Sequence, residues 1–192
     1  MKTPYHPATI AAHAAGALDP QTGGVVPAWQ PSTTYYRDAS NALLRGDNLY
    51  ARDQSDTLRQ AEEVLRRIEG AAETRLFPSG MAAIAALVRA LPRGARIVLQ
   101  KGIYWGTTAW MREHCAMAEL ALTEVPAGEM AAAIADLEPE LTFAEMPSNP
   151  WLEVVDIAAL AQAGPGLLAV DATAATPLLL KPLALGADVV MH

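Results

Sequence analysis

Asp171 closes an apolar run, Leu167-Leu-Ala-Val170, and small residues follow it as far as Pro177. The run reads as a strand. In open α/β sheets ligands bind outside the carboxyl ends of strands, so this carboxylate is set where chemistry is usually done. A buried carboxylate there needs a cation or a strong donor beside it, because an unpaired buried charge is expensive. One such partner is the protonated ring nitrogen of pyridoxal phosphate, where an acid keeps the ring cationic and electron-withdrawing. The plainer role is an Asp whose side chain caps its own turn.

Other residues fall at similar places. Phe77-Pro-Ser-Gly-Met81 joins an expected strand to an expected helix. The backbone N–H groups of Gly80 and Met81 are suited to a phosphate there, because a helix start favours negative charge. The alternative is an ordinary turn with Ser79 as the N-cap. Tyr104, in Gly102-Ile-Tyr-Trp-Gly-Thr107, follows a strand and could stack on a planar ring, while Trp105 beside it reads as core. Asn149, in Glu145-Met-Pro-Ser-Asn-Pro150, could hydrogen-bond a ring substituent or serve only as a turn residue. Tyr50-Ala-Arg52 offers a hydroxyl and a guanidinium suited to phosphate, although Arg52 could equally be a solvated charge.

Some chemistries find no residues. There is no Walker lysine motif and no G-x-G-x-x-G. His6, His13, His114, His192 and Cys115 lack metal-ligand spacing, so no metal is expected, and no Ser-His-Asp arrangement is readable. Cys115 lies in the pattern Met111, Cys115, Ala118 and reads as a small core residue.

The elements that must position these residues emerge from periodicity. Leu58, Ala61, Leu65 and Ile68 recur at helical spacing, with Ser55 or Asp56 at the start and Gly70 at the end. Strands are expected at 74–77, 96–99, 119–125, 141–146, 167–170 and 188–191. Helices are expected at 80–91, 107–115, 129–137 and 157–162. Such alternation predicts βαβ units and a parallel sheet covered on both faces. Residues 1–54 are rich in Pro, Gly and Thr without a sustained period and read as an arm. Their aromatic residues Trp29, Tyr35, Tyr36 and Tyr50 favour docking over disorder. The expected division is therefore an arm, 1–54, and an α/β domain, 55–192.

The chain's 192 residues could bury roughly 70% of their unfolded surface in one domain. A net charge of −7 without a basic block argues against a nucleic-acid partner. No apolar run is long enough to cross a membrane and no signal peptide is recognisable. A single cysteine fits a reducing compartment, so a cytoplasmic protein is expected.

Taken together, the segments resemble the Cys/Met-metabolism (transsulfuration) family of pyridoxal-phosphate enzymes. The resemblance is carried by Thr22-Gly-Gly24, Gln30-Pro-Ser-Thr-Thr34, Tyr50-Ala-Arg52, Pro78-Ser-Gly-Met-Ala-Ala83, Tyr104, Glu145-Met-Pro-Ser-Asn-Pro150, Val170-Asp171, Thr176-Pro177 and Lys181 to His192. It runs in order over nearly the whole chain. It implies a three-layer sandwich with a mostly parallel sheet, the large domain of fold type I, truncated before a C-terminal domain. It implies pyridoxal 5'-phosphate as cofactor, with Gly80 and Met81 on its phosphate. Tyr104 would stack on the ring with possible acid/base work, Asp171 would pair with the ring nitrogen, Asn149 would contact the ring oxygen and Thr173 would lie close by. Tyr50 and Arg52 would reach the phosphate of a neighbouring subunit, in a dimer of dimers.

The activity implied is carbon–sulfur bond chemistry on an amino-acid substrate, of cystathionine gamma-synthase or gamma-lyase type. A beta-lyase or O-acylhomoserine sulfhydrylase is the alternative. Three departures stand against the pattern. The family's Schiff-base lysine would fall beyond His192, and Lys2, Lys101 and Lys181 do not match its place. Ala172 and Ala174 stand where many members carry Asn and an aromatic residue, and Ala163-Gly-Pro-Gly166 is a short connection. Without the lysine the chain alone is expected to be inactive, and a non-catalytic α/β module is the reading from another class.

Overall fold

Residues 5–164 and 166–192 are described by a computed structural model of the protein. Residues 1–4 of the expected arm and Pro165 of the short connection lie outside the described residues. The chain divides into two units, one ending at Leu76 and one spanning Phe77–His192.

The first unit is built on the helix foreseen from Ser55. Within the expected arm, Pro7–Ala12 forms a short helix, α1, begun by the His6 side chain, which accepts the Ala8 N–H. The longer helix, α2, spans Asp56–Glu69. Ser55 caps it by accepting the Leu58 N–H, and Gly70 ends it at φ 72°, a left-handed conformation glycine adopts without a Cβ clash. The preceding chain is fastened to α2 by side chains: Gln60 and Arg67 donate to the carbonyls of Ala14 and Ala15. Arg45, Asn48, Asp56 and Arg59 form a polar cluster at the helix start. The stripe Leu58, Ala61, Leu65 and Ile68 is only half-buried.

The second unit opens with α3, Gly80–Arg89, and continues with β1, Arg96–Gln100. There follow α4, Trp105–Ala118, β2, Ala121–Val125, and α5, Met130–Leu137. Next come β3, Leu141–Glu145, α6, Ile157–Gln162, and β4, Leu167–Asp171. The last elements are α7, Thr176–Leu179, and β5, Val189–Met191. The five strands pair in parallel in the order β2-β1-β3-β4-β5.

Strand alternation sorts the core into two halves. Ile97, Leu99, Leu141, Phe143 and Ala169 pack with Ile84 and Val88 of α3 and Met111 and Cys115 of α4. Val98, Ala144, Leu168 and Val170 pack with Met130 and Ile134 of α5 and Ile157 and Leu160 of α6. The unit is therefore a three-layer α/β sandwich, as the alternation implied. Cys115 is buried in the first half-core, and burial pushes its thiol pKa up.

Two expectations are corrected. Residues 74–77 form no strand, because the Leu76 N–H is taken by the Glu62 carboxylate at 3.0 Å instead of a neighbouring strand, and Pro78 follows. Trp105 is not core: as the first residue of α4 it is 74% exposed.

Candidate functional site

From β1 the chain crosses to β2 on one side and then returns past β1 to β3 on the other. The crevice beyond the carboxyl ends of β1 and β3 is thus a topological switch point, the usual place for a ligand in such sheets. The loop after β1 carries Tyr104, and the loop after β3 carries Asn149. Glu145 and Asp171 end β3 and β4 as register partners. Each lies two residues beyond a side chain of the α3/α4 half-core, Phe143 or Ala169, so both carboxylates face that side of the sheet.

Asp171 fills the turn-capping role through one oxygen and keeps the other open. Its Oδ1 accepts the Thr173 N–H at 3.0 Å and the Thr173 hydroxyl at 2.6 Å, which is the turn-capping role. Its Oδ2 accepts no hydrogen bond among the described residues. Ser79 likewise caps α3 by accepting the Ala82 N–H, yet the N–H groups of Gly80 and Met81 meet no acceptor among the described residues. A Cβ built on Gly80 would touch nothing within 4 Å. Thr107, in the first turn of α4, donates through its hydroxyl to the Met81 sulfur at 3.8 Å, which brings the starts of α3 and α4 together.

Tyr104 precedes α4 and is 38% exposed. Its ring leans over the helix start, 5.9 Å from the Trp105 ring and tilted by 55°. Gly106 makes room for it: a Cβ there would lie 2.5 Å from Tyr104 Cε1. The Tyr104 N–H donates to Glu145 Oε2 at 2.8 Å, and the Asn149 N–H donates to Glu145 Oε1 at 2.6 Å. Asn149 is exposed in a loop held by Ser148, which pairs with the Glu153 backbone. Glu145 is buried, and that burial raises its pKa. The two amides pull it down, and the Asp171 charge adds to the upward push.

Gly80, Met81, Tyr104, Asn149, Asp171 and Thr173 thus all belong to one unit and lie at one end of its sheet. Tyr50 and Arg52 belong to the other unit, where the Arg52 guanidinium stacks 4.8 Å from the Tyr50 ring centroid. Lys101, an exposed residue after β1, lends its charge to Glu124 on β2. Sequence reasoning missed Glu145 as a site residue and Gly106 as its companion to Tyr104. A signal for Glu145 existed: Leu141-Thr-Phe-Ala144 delivers an acid at a strand end just as Leu167–Val170 does.

The donor set fits a flat, phosphorylated, protonated heterocycle. It has unpaired amides at a helix start for a phosphate, an aromatic ring for a face, and an open carboxylate oxygen for a ring N–H.

Comparison with known proteins agrees. The family model described as Cys/Met metabolism PLP-dependent enzyme matches residues 8–192. Cystathionine gamma-synthase of Mycobacterium tuberculosis is 38% identical over 192 residues, covering 97% of this chain and 49% of that protein. O-succinylhomoserine sulfhydrylase of Pseudomonas aeruginosa is 38% identical over 172 residues, covering 84% and 43%. The crystal structure of cystathionine gamma-synthase from Xanthomonas oryzae in complex with cystathionine superposes with a TM-score of 0.87 at 29% identity, covering 98% of this chain and 50% of that one. The chain spans about half the length of the curated relatives it matches.

Proposed function

The chain belongs to the Cys/Met-metabolism family of PLP-dependent enzymes, and on that footing we propose that it supplies the cofactor-holding part of an enzyme acting on carbon–sulfur bonds of amino acids. Cystathionine gamma-synthase or gamma-lyase chemistry is the favoured type, with beta-lyase or O-acylhomoserine sulfhydrylase activity as the alternative. The observation that carries the reading is the open Asp171 oxygen, on the sheet face that α3, with its unpaired Gly80 and Met81 amides, also covers.

In this reading the Gly80 and Met81 amides hold the phosphate of pyridoxal 5'-phosphate, aided by the helix dipole. Tyr104 covers one ring face and keeps water from it. Asp171 accepts the ring N–H through Oδ2 and keeps a proton on that nitrogen, while Thr173 fixes the carboxylate through Oδ1. Asn149 orients the ring-oxygen side. When bound, the protonated ring stabilises negative charge developing at the substrate's α-carbon. Tyr50 and Arg52, stacked on each other, serve the phosphate of a second copy in a homo-oligomer. Among the described residues no helix is long and apolar enough to cross a membrane, and a cytoplasmic location is part of the proposal.

The test uses the polypeptide at its full natural length, supplied with pyridoxal phosphate. O-succinylhomoserine with cysteine should yield cystathionine. Cleavage of cystathionine in place of its formation would move the assignment to the lyases. Activity on none of these substrates, with no saturable cofactor binding, would end it.

A further inference from the structure

Backbone pairing between β1 and β3 stops at Leu99 and Phe143. Beyond that point side chains continue the link. Gln100, fully buried, accepts the Glu145 N–H through Oε1 at 3.0 Å. The Glu145 carboxylate then turns to the opposite face of the sheet and accepts the Tyr104 and Asn149 amides, one on each oxygen.

Resting on the cofactor reading above, we propose that Glu145 is a positioning residue: its carboxylate clamps the loop carrying Tyr104 to the loop carrying Asn149 across the β1–β3 crevice, and so sets the gap in which the flat ring is held. Glu145 is only 6% exposed and forms no ion pair with Lys or Arg among the described residues. A buried anion without a cation is costly to keep, and the site keeps this one beside a second carboxylate, Asp171. The donor geometry explains the residue type. Two N–H groups converge on one side chain, and a carboxylate presents an acceptor to each. A glutamine of the same shape would aim its amide hydrogens at one of the two donors. Each amide belongs to a residue whose side chain is assigned to the ring, so a loss on either side lets one contact drift from the other.

The experiment compares Glu145→Gln and Glu145→Asp with the unsubstituted chain. Amide hydrogen exchange is measured by NMR without cofactor, and pyridoxal phosphate is then titrated by fluorescence. Glu145→Gln should speed exchange at Tyr104, Asn149 or both by about tenfold, with Leu99 and Phe143 still protected. Cofactor affinity should fall by about tenfold. Glu145→Asp keeps the charge but withdraws the oxygens by one methylene, and should fall between the two. It also serves if the Gln variant folds poorly. Unchanged protection at both amides in the variants would overturn the clamp, whatever the cofactor does. Faster exchange with unchanged cofactor affinity would overturn the positioning role. If the unsubstituted chain has protected amides but never binds pyridoxal phosphate, the cofactor reading fails and takes the ring-positioning role with it.

Discussion

Glu145 and Asp171 are register partners at the ends of neighbouring parallel strands, yet one carboxylate has both oxygens capped by backbone amides and the other keeps an oxygen open. Two like charges this close raise the cost of ionising both, and the cost falls on the more buried member, Glu145. A cationic group at the Asp171 oxygen would relieve both. A protonated ring nitrogen there would therefore be favoured by more than its own hydrogen bond.

That arrangement separates stability from binding in Asp171→Asn. Asn retains an acceptor for the Thr173 amide and hydroxyl, and removes the charge that faces Glu145. Its other terminus becomes a donor and cannot accept a ring N–H. The melting midpoint should stay level or rise. Affinity for pyridoxal phosphate should drop by about tenfold to a hundredfold, or about 1.5–3 kcal/mol for a lost charge-assisted bond. A fluorescence titration beside a thermal melt checks both signs.

Gly80→Pro tests the phosphate site with little damage to the fold. Gly80 is the first residue of α3, where proline's fixed φ is favourable and its missing N–H costs no helical bond. The preceding Ser79 is already extended, as a residue before proline must be, and the space a Cβ would enter is open. The midpoint should hold or rise by a few degrees, since the substitution also restricts the unfolded chain by about 0.4–1 kcal/mol. Pyridoxal phosphate should bind about tenfold more weakly, having lost one of two amide donors. Unchanged affinity would remove Gly80 from the site.

Gly106→Ala sets helix propensity against the Tyr104 ring. In an open helix the change stabilises by about 1 kcal/mol. Here the new methyl would sit 2.5 Å from Cε1 and 3.0 Å from Cζ of Tyr104, so the ring must swing away or the helix start must shift. Overpacking a closed core costs about 1–3 kcal/mol, but the obstacle here is the far end of a partly exposed side chain that can swing aside, so the strain only offsets part of the helix gain. The single variant should gain less stability than an open helix would give, and should bind pyridoxal phosphate several-fold more weakly because the ring is displaced. Combined with Tyr104→Ala, the same substitution should give the full helix gain, because the obstacle is gone. A double-mutant cycle on melting free energies reads the difference directly.

Much of this was legible in the chain because its signals were local. Ser55 and Gly70 bracket α2 as a cap and a left-handed stop should, and each run of β-branched and aliphatic residues from Arg96 onward became a parallel strand. The acid at 171 was visible for the same reason. Strand order was not legible: nothing in the composition of β2 and β3 says they lie on opposite sides of β1, and the crevice follows from that order. Glu145 was overlooked because its partners are backbone amides 41 and 4 residues away, which leave no mark on residue type. Residues 74–77 looked like a strand by composition, but a strand needs a neighbour, and Glu62 took the Leu76 N–H instead. Trp105 was misjudged because size was read as burial, when its place at the outer start of α4 leaves it exposed.

At the opposite end of the sheet, Glu140 ties β1 to β3 and gives the second unit an acid-sensitive edge. Its carboxylate accepts the Arg96 N–H at 2.6 Å and pairs with the Arg96 guanidinium, which holds its pKa down at about 2 from an ordinary 4.5. A carboxylate with a lowered folded-state pKa contributes stability above its unfolded value and loses it as pH falls through the folded one. The contribution is thus present above pH 4.5 and disappears towards about pH 2. Glu145 works in the opposite sense, since burial raises its pKa and acid relieves the cost of its charge. Glu140→Gln should therefore melt below the unsubstituted chain at neutral pH, and the gap between the two curves should close on acidification across that window. Because both partners are solvent-exposed, about 0.5 M salt should shrink the gap at neutral pH as well. A gap that persists unchanged at pH 2 would mean that Glu140 acts through shape, with no part played by its charge.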